Sequence, residues 1–548
     1  MTGIVDVRTA VSFVIRPILL CIALAMTVGA GGCALHGGVL HHRPGEIAFN
    51  LSEDPATLDP LLARSDDERQ IEHLMFDMLL DVDERGRLIP DLALEVPSRA
   101  NHGISLDGRT IVYHLREGVR WQDGAPVTAS DVIFTWQAIM DPHNDVASTQ
   151  GYDRIDLIVA PDPYTVLVRL HAPWAPAVAT FFTYGPHPVP ILPQHLFGDQ
   201  TDLRHSDFDL HPVGSGPYKL VRWERDDRLV FAANDAYFRG KPKTPVVVAH
   251  IVPDTNTSLT MLRSGQLDWS LLSPAQRLAL GFGSGLRFAY VPFAGVGAIA
   301  FNCRRAPFDD EGLRIALAMA IDRKRLAAAI TAGQYAVAQS DQPPFSWAHA
   351  SDVRLPDFDP RAADARLDAL GWRRGPDGMR RKDGHKLELT FATFPESDTA
   401  VRTAEYVQQM LAQRGIAVTI KKVSLAQFYL PAGERGLLLS GRYDLAYIVW
   451  RAGLDPDDSD LVTCRGAANY AGFCDKALDE LESRALEEQS ISARRALYVQ
   501  IQHALAAALP YDFLYAPTYG YGKAADLRGF DPSPFSPTWN AYEWSKGG

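Results

Sequence analysis

Cysteine is scarce in this sequence: five cysteines occur in 548 residues, and neither a CxxC nor an HExxH pattern is present. Such patterns hold thiolates or imidazoles at the spacing that a zinc ion needs, so their absence argues against a zinc site. One adjacent histidine pair, His41-His42, stands in a short N-terminal stretch that is more typical of a solvated linker. We therefore expect no metal site in this protein.

The sequence also lacks the short motifs of several enzyme classes. No GxSxG motif surrounds Ser215, because Val213 stands where the first glycine is needed, so no hydrolase nucleophile elbow is indicated. A GxxxxGK phosphate loop is absent. Residues 295–300, GVGAIA, match GxGxxA, but they lie in an apolar run with strand character and no helix start follows. We predict no catalytic residues and no cofactor.

Positive charge is in deficit. The chain has 54 Lys and Arg against 66 Asp and Glu, a formal net charge of -12, and no basic stripe interleaved with aromatic residues. An acidic chain of this kind repels a phosphate backbone, which argues against nucleic acid as a partner. With 47% hydrophobic residues, 548 residues are enough for two or three folded lobes.

The apolar run near the N-terminus is too short to span a bilayer comfortably. Arg8 and Arg16 precede the run PILLCIALAMTVGAGG, an arrangement that is typical of a signal peptide. We therefore predict that residues 1–32 are a signal peptide and that the protein is exported, to the periplasm or cell envelope.

The residues at the end of this run resemble a lipobox. In bacterial lipoproteins the cysteine of that motif becomes the lipidated first residue, and Ala30-Gly31-Gly32-Cys33 resembles the motif, although Ala30 stands where leucine is usual. Two alternatives follow, a lipid anchor at Cys33 that tethers the protein to the membrane or an ordinary cleaved secretory peptide. In both, residues 33–44 form a tether.

Three cysteines remain for the folded part. Cys464 and Cys474 lie ten residues apart in TCRGAANYAGFC, and in an exported protein they are candidates for a disulfide. The alternative is two separate buried thiols. Cys303 has no partner at comparable spacing.

The stretch GVRWQDGAPVTASDV, residues 118–132, places Trp121 among charged residues and turn formers. RTIVYHL before it alternates like a half-buried strand, VRW reads as a second short strand, and Thr128 with Asp131 matches a capping box at the start of a helix. We interpret Trp121, Asp123 and Asp131 as residues that hold this local fold, with ligand contact as the alternative.

Later in the chain, strand-like and helical runs alternate. LELTFATF (387–394) and GIAVTIKKV are typical of strands, and TAEYVQQMLAQR between them is an amphipathic helix. Strand–helix–strand alternation indicates an α/β lobe with parallel pairing.

Several segments, in the same order, resemble the family 5 extracellular solute-binding proteins, which include the dipeptide and oligopeptide receptors of bacterial ABC importers. The similarity extends from about residue 47 to the end. The segments are DGRTIVYHLREGVRWQDGAPVTASDVIFTW (107–136), TLDP (57–60), PVGSGPY (212–218), NDAYFRGKP (234–242), LRSGQLDW (262–269), FNCRRAPFDDEGLRIALAMAIDR (301–323) and YDLAYIVWRAGLDPDD (443–458).

The resemblance implies an α/β fold of the periplasmic-binding-protein type (type II, cluster C-like). This fold is a clamshell of two hinged lobes with a small extra lobe on the first. The expected boundaries are lobe I at 45–62, 210–295 and 510–548, extra lobe II at 63–209, and lobe III at 296–509.

The resemblance also implies where the ligand binds. The strand YDLAYIVW would bring Tyr447, Trp450 and Arg451 to the cleft, followed by Gly453 and Asp455. The alternative is that Trp450 belongs to the core and that the aspartates form a turn and a helix cap. In the peptide receptors an aspartate three residues after the matching tryptophan holds the ligand's α-amino group, and here that position is Gly453. An unpaired buried ammonium is costly, so Asp455 is the alternative carboxylate.

The expected function is therefore that of a transport receptor and not of an enzyme. A peptide-like or other small solute would be captured by hinge closure and delivered to an ABC permease with its ATPase, with the receptor acting as a monomer. One alternative is a sensor of the same fold without transport. Another is an exported hydrolase, or a calcium site, built on the aspartate cluster 455–460.

Overall fold

The computed structural model describes residues 45–185, 187–198, 203, 207–281, 285–430, 433 and 435–547. The predicted signal peptide, the tether with its histidine pair and the predicted lipid-anchor residue Cys33 lie outside these ranges. Within the described residues, none of the helices combines the length and the apolar character needed to cross a bilayer.

A seven-stranded mixed sheet forms the centre of the first lobe. The apolar strand Val246–Ile251 runs parallel to Glu46–Leu51, and both are largely buried, as expected where a sheet is covered on both faces. The strands, in order across the sheet, are Leu286–Pro292, Thr518–Ala524, Trp269–Leu271, Glu46–Leu51, Val246–Ile251, Arg228–Ala233 and Tyr218–Glu224.

A five-stranded sheet forms the centre of the second large lobe. Glu388–Thr393 and Ala417–Lys422 pair in parallel and are connected by the helix Asp398–Ala412, so the predicted strand–helix–strand unit is confirmed. Across the sheet the strands are Ala417–Lys422, Glu388–Thr393, Leu445–Arg451, Gly295–Phe301 and Tyr511–Tyr515.

The chain crosses between the two sheets twice, at adjacent places. The first crossing joins Leu286–Pro292 to Gly295–Phe301, and the second joins Tyr511–Tyr515 to Thr518–Ala524. The Phe293 amide donates to the Pro517 carbonyl at 3.0 Å, which holds the crossings together. The predicted boundary at residue 510 assigned Tyr511–Tyr515 to lobe I, whereas this strand pairs within the five-stranded sheet.

The extra lobe contains a three-stranded antiparallel sheet of Thr110–His114, Thr165–Leu170 and Ile155–Asp162. The predicted helix after it spans Ala129–Met140, and its capping box is confirmed by the Thr128 amide, which donates to Asp131 at 2.8 Å. Trp121 is buried in the core. The predicted VRW strand is reduced to a single bridge between Arg120 and Pro126.

The run DDERQIEHLMFDMLL (66–80) has apolar residues at helical spacing, which predicts a helix through Met78, but the observed helix is shorter. It spans Asp66–Met75 and begins at the capping residue Ser65, while Met78 is buried in the connection that follows. A glycine turn ends close to this helix: a Cβ added to Gly214 would lie 1.8 Å from the Met75 carbonyl oxygen. Glycine is therefore required in this turn of the PVGSGPY segment.

The other secondary-structure elements surround these sheets. Short two- or three-stranded sheets pair Leu80–Val82 with Leu88–Pro90, Arg373–Arg374 with Arg380–Lys382 and His385–Lys386, and Leu527–Arg528 with Ser545–Lys546. The remaining helices are Tyr152–Arg154, Ala177–Thr180, Gln194–Phe197, Asp207–Asp209, Thr255–Ser264, Pro274–Leu280, Glu311–Met319, Arg323–Thr331, Pro360–Ala369, Leu425–Tyr429, Ser459–Val462, Lys476–Glu487, Ile491–Ala508 and Ala541–Glu543.

Two large hydrophobic cores result. One contains buried residues of the five-stranded sheet and its helices, from Val296 to Ala516. The other joins residues of the seven-stranded sheet to those of the three-stranded sheet, so the first lobe and the extra lobe share a core. We call the core of the five-stranded sheet the second-lobe core, and the core of the seven-stranded and three-stranded sheets the first-lobe core.

Cys464 and Cys474 form a disulfide in the second lobe. Cys303 is a free thiol, and burial raises its pKa to about 11, so it stays protonated at neutral pH.

Candidate functional site

A cavity of about 930 Å³ lies between the two cores. Residues of both lobes form its walls, and the hinge residues Phe293 and Pro517 line it as well. Its wall residues from the first-lobe side include Ser52, Asp66, Arg69, Trp174 and Thr183, and those from the second-lobe side include Tyr429, Tyr447, Trp450, Asp460 and Tyr515.

The strand Leu445–Arg451 brings the predicted binding residues to this cavity. Its first four residues are buried, Val449 and Trp450 are half-buried, and Arg451 is exposed, so the strand runs from the core out to the cleft. Tyr447, Trp450, Arg451, Gly453 and Asp455 all line the cavity. The structure therefore brings the five residues together on one wall.

Tyr447 belongs to a chain of buried hydroxyl groups. The Tyr515 hydroxyl donates to the Tyr447 hydroxyl at 2.9 Å and lies 3.2 Å from the Thr403 hydroxyl. Burial raises the pKa of Tyr447 well above its ordinary value. Both phenols are therefore neutral, and they join the two strands that lead into the cleft.

Trp450 contributes an aromatic surface to the cavity. Its indole is half-buried against the second-lobe core, and the Trp450 carbonyl oxygen would lie 2.2 Å from a Cβ added to Gly295. The glycine on the neighbouring strand thus allows the two backbones to approach at the hinge end of the sheet.

Arg451 makes an ion pair across the cleft. Its guanidinium donates to both oxygens of Asp66, at 3.0 and 2.6 Å. Asp66 is the first residue of the helix Asp66–Met75, whose apolar side lies in the first-lobe core, whereas Arg451 ends a strand of the second lobe. Desolvation opposes ionisation, but the guanidinium groups of Arg451 and Arg69 lower the pKa of Asp66 below its ordinary value.

Asp455 is held by its own lobe. Arg494 donates to its two oxygens at 2.6 and 2.7 Å, and the side chains are only 10% and 5% exposed. The Arg494 guanidinium also lies 5.3 Å from the centre of the Trp347 ring. The charge of Asp455 is thus already compensated within the second lobe.

The other aspartates of the 455–460 cluster have different environments. Asp457 accepts bonds from the Ser459 amide and hydroxyl, at 3.0 and 2.6 Å. Asp460 accepts a bond from Gln150 of the extra lobe at 3.1 Å. Asp458 is fully buried beside Asp341 and Glu482, and burial raises its pKa well above the ordinary value. Asp455, Asp457 and Asp460 therefore line the cavity with their hydrogen bonds already made, whereas Asp458 lies behind the wall.

Sequence reasoning did not identify the residues of the opposite wall. Asp66 and Arg69 belong to the run 66–80, whose apolar spacing predicts only an amphipathic helix, and Asp66 meets Arg451 across 385 positions of sequence. Trp174, which also lines the cavity, follows a strand of the extra lobe. Helical periodicity indicates which face of a helix is buried. It gives no information on contacts between residues that are hundreds of positions apart in the sequence.

Comparison with known proteins agrees with this architecture. The family of bacterial extracellular solute-binding proteins, family 5 middle, matches residues 87–472. Protein XP55 of Streptomyces lividans is 29% identical over 503 residues, which cover 90% of this chain and 88% of that protein. The oligopeptide-binding protein AppA of Bacillus subtilis is 25% identical over 520 residues, 91% of each chain.

Solved structures share the fold over nearly the whole chain. AppA from Bacillus subtilis in complex with a nonapeptide has a TM-score of 0.77 at 24% identity, covering 92% of this chain and 99% of that chain. NikA from Brucella suis in complex with Fe(III)-EDTA has a TM-score of 0.81 at 22% identity, covering 92% and 100%. The predicted two-lobed clamshell is thereby confirmed, and the chain belongs to family 5 of the bacterial extracellular solute-binding proteins.

Proposed function

We propose that this protein is the substrate-binding receptor of an ABC import system, which captures a peptide-like or other small solute between its lobes and delivers it to a membrane permease. The observation that carries the proposal is the cavity of about 930 Å³ between two cores that are joined by two adjacent chain crossings. Ligand sites of roughly 300–1,000 Å³ are typical for small molecules.

The walls of the cavity suit an amphipathic solute. Aromatic side chains such as Trp174, Tyr429 and Trp450 alternate with the charged groups of Asp66 and Arg451. AppA was solved in complex with a nonapeptide and NikA in complex with Fe(III)-EDTA, and both ligands carry carbonyl or carboxylate oxygens. A peptide-like solute is the class that we favour for this chain.

Within this site we assign different roles to the predicted residues. Tyr447, Trp450, Arg451 and Gly453 form the ligand-facing wall. Asp455 positions the loop through its bond to Arg494, and it therefore does not replace the amine-binding aspartate whose position is Gly453 here.

The mechanism we propose is capture by hinge closure. A solute that touches both walls adds contacts only in the closed state, and it shifts the equilibrium between open and closed forms by that difference in affinity. No bond in the solute is changed. Small-angle scattering should show a smaller radius of gyration at saturation with ligand, and an unchanged radius would contradict closure.

Export completes the proposal. We propose a signal peptide over residues 1–32, a lipid anchor at Cys33 and a monomeric receptor that works with a permease and an ATPase. Cys33→Ser should move the protein from the membrane fraction to the soluble fraction.

The direct test of the function is native mass spectrometry of the protein purified from its host. A bound small solute, released unchanged on unfolding, is the expected result. A chemically altered solute, or a protein that binds nothing from host extract, would contradict the proposal.

A further inference from the structure

We propose that Arg451 binds an anionic group of the cargo, preferably a carboxylate, and that Asp66 occupies this position in the empty cleft. This inference rests on the proposed function, because it names the chemistry by which the same cavity selects its solute. It starts from the ion pair itself, in which the carboxylate of Asp66 receives two bonds from one guanidinium, at 3.0 and 2.6 Å. A guanidinium binds a solute carboxylate in the same two-bond geometry.

The pair is placed where a solute can replace it. The side chains of Arg451 and Asp66 are 44% and 57% exposed to the cleft, in contrast to the buried pair of Asp455 and Arg494. Exposed ion pairs contribute little to stability, so an incoming carboxylate meets little resistance from Asp66. Among the ion pairs of the described residues, Arg451–Asp66 is also the one that joins the two cores.

The groups in direct contact with the pair favour an anion. Asp66 lies between two guanidinium groups, since Arg69 also approaches it at 3.3 Å, so one carboxylate faces two cations. The neighbouring carboxylate of Asp67 accepts bonds from the Ser52 amide and hydroxyl at 2.6 Å and makes no ion pair with Arg451 or Arg69 among the described contacts. The two guanidinium groups therefore have one carboxylate between them.

The two partners would respond differently to separation. Asp66 keeps Arg69 and the positive N-terminal end of its helix when Arg451 leaves it. For Arg451, no other carboxylate partner is found among the described ion pairs, and its guanidinium also lies over the face of Phe293, 5.4 Å from the ring centre. On opening, the guanidinium is thus the group left without a charged partner, and a solute carboxylate can take the place of Asp66.

The pair also separates two spaces. A second cavity of about 240 Å³ adjoins the main one, and Asp66 and Arg451 line both. A solute that takes the place of Asp66 therefore reaches the boundary between the cavities, beside the hinge residue Phe293. This position explains how binding of one charged group could be coupled to movement of the lobes.

The test compares two probes that differ only in charge, tri-alanine and tri-alanine with an amidated C-terminus. Calorimetry gives the affinity ratio of acid to amide for the wild type, Arg451→Gln, Arg451→Lys and Asp66→Asn. The exposed pair Arg169–Asp156 of the extra lobe, with side chains 53% and 38% exposed, supplies the matched controls Arg169→Gln and Asp156→Asn. Thermal unfolding of each variant establishes that it is folded.

We expect the wild type to prefer the acid about tenfold, which corresponds to about 1.4 kcal/mol. Arg451→Gln should bring the ratio to about one, Arg451→Lys should retain part of it, and Asp66→Asn should raise it because the internal competitor is gone. The controls should keep the wild-type ratio. An unchanged ratio in Arg451→Gln, or a lower one in Asp66→Asn, would overturn the inference.

If neither probe binds any variant, tri-alanine is not a ligand of this receptor, and the inference is decided by the solute that co-purifies with the wild type. A solute without an anionic group overturns it. An anionic solute that Asp66→Asn retains and Arg451→Gln loses supports it.

Discussion

Two of the Asp–Arg ion pairs with a carboxylate at the cavity have opposite characters. Asp455 and Arg494 are 10% and 5% exposed and belong to one lobe, whereas Asp66 and Arg451 are half-exposed and belong to two. A buried pair cannot release one partner without leaving an uncompensated charge, while an exposed pair can exchange partners with the solvent or a ligand. Asp455 and Arg494 therefore stabilise the cavity wall, whereas Asp66 and Arg451 can exchange one partner for a group of the solute.

The largest effect is expected when the buried pair is broken. Arg494→Met leaves the Asp455 carboxylate buried without its guanidinium, so it should lower the free energy of unfolding by about 3–5 kcal/mol. Urea denaturation followed by circular dichroism measures this. The double variant Arg494→Met with Asp455→Leu should recover much of the lost free energy of unfolding. If Arg494→Met alone is as stable as the wild type, the buried pair does not hold the wall as we infer.

The disulfide in the same lobe should have a somewhat smaller effect. Cys464 and Cys474 are ten positions apart, and opening a loop of that size costs about 3 kcal/mol in the chain-entropy model. Cys464→Ser with Cys474→Ser should lower the urea midpoint by the corresponding amount. Cys303→Ser, which removes the free thiol, is the control and should leave the midpoint nearly unchanged.

The buried acids behind the loop predict a pH effect. Asp458 is buried beside Asp341 and Glu482, and burial together with the neighbouring carboxylates favours the protonated form. Burial raises the pKa of Glu482 to about 8, and the pKa values of Asp341 and Asp458 are raised as well.

The sign follows from proton uptake. Between pH 4.5, the ordinary value for Glu482, and about pH 8, the folded protein keeps a proton that the unfolded chain has lost. Stability from this group is therefore highest below that window and falls as the pH rises through it. We expect the melting temperature to drop by several degrees from pH 5.5 to pH 8.5, and less in Glu482→Gln. If the melting temperature drops equally in the wild type and in Glu482→Gln, the pH effect does not come from Glu482.

The smallest change in stability is expected for the exposed pair. Asp66→Asn should alter the free energy of unfolding by no more than about 1 kcal/mol. Its effect should appear in the empty receptor instead, as a wider distribution of distances between spin labels on the two lobes. A loss of stability comparable to that of Arg494→Met would show that the two pairs do not differ as we infer.

Local elements could be predicted well from the sequence. The strands Thr110–His114 and Glu388–Thr393 and the capped helix Ala129–Met140 lie where their patterns indicated. The errors fall where tertiary contacts decide. The helix from Asp66 ends at Met75, although apolar residues continue, because the chain turns there against Gly214 and Gly216.

The candidate site was predictable on one wall only. Tyr447, Trp450, Arg451, Gly453 and Asp455 come from one continuous segment, so a single motif identified all of them. The motif does not indicate which of these charged residues are already paired within the protein. The partner of Asp455 is 39 positions away in the sequence, and the partner of Arg451 is 385 positions away.

The sequence by itself determined the local strands and helices, because periodicity, turn residues and caps act over a few residues. Its resemblance to family 5 implied the clamshell fold and the segment that enters the cleft. The tertiary structure alone decided where the strand Tyr511–Tyr515 belongs, which wall faces Arg451 and which aspartate is already paired. Those features depend on how two separately folded cores are brought together, and the energy of a charge depends on the neighbours that this arrangement supplies.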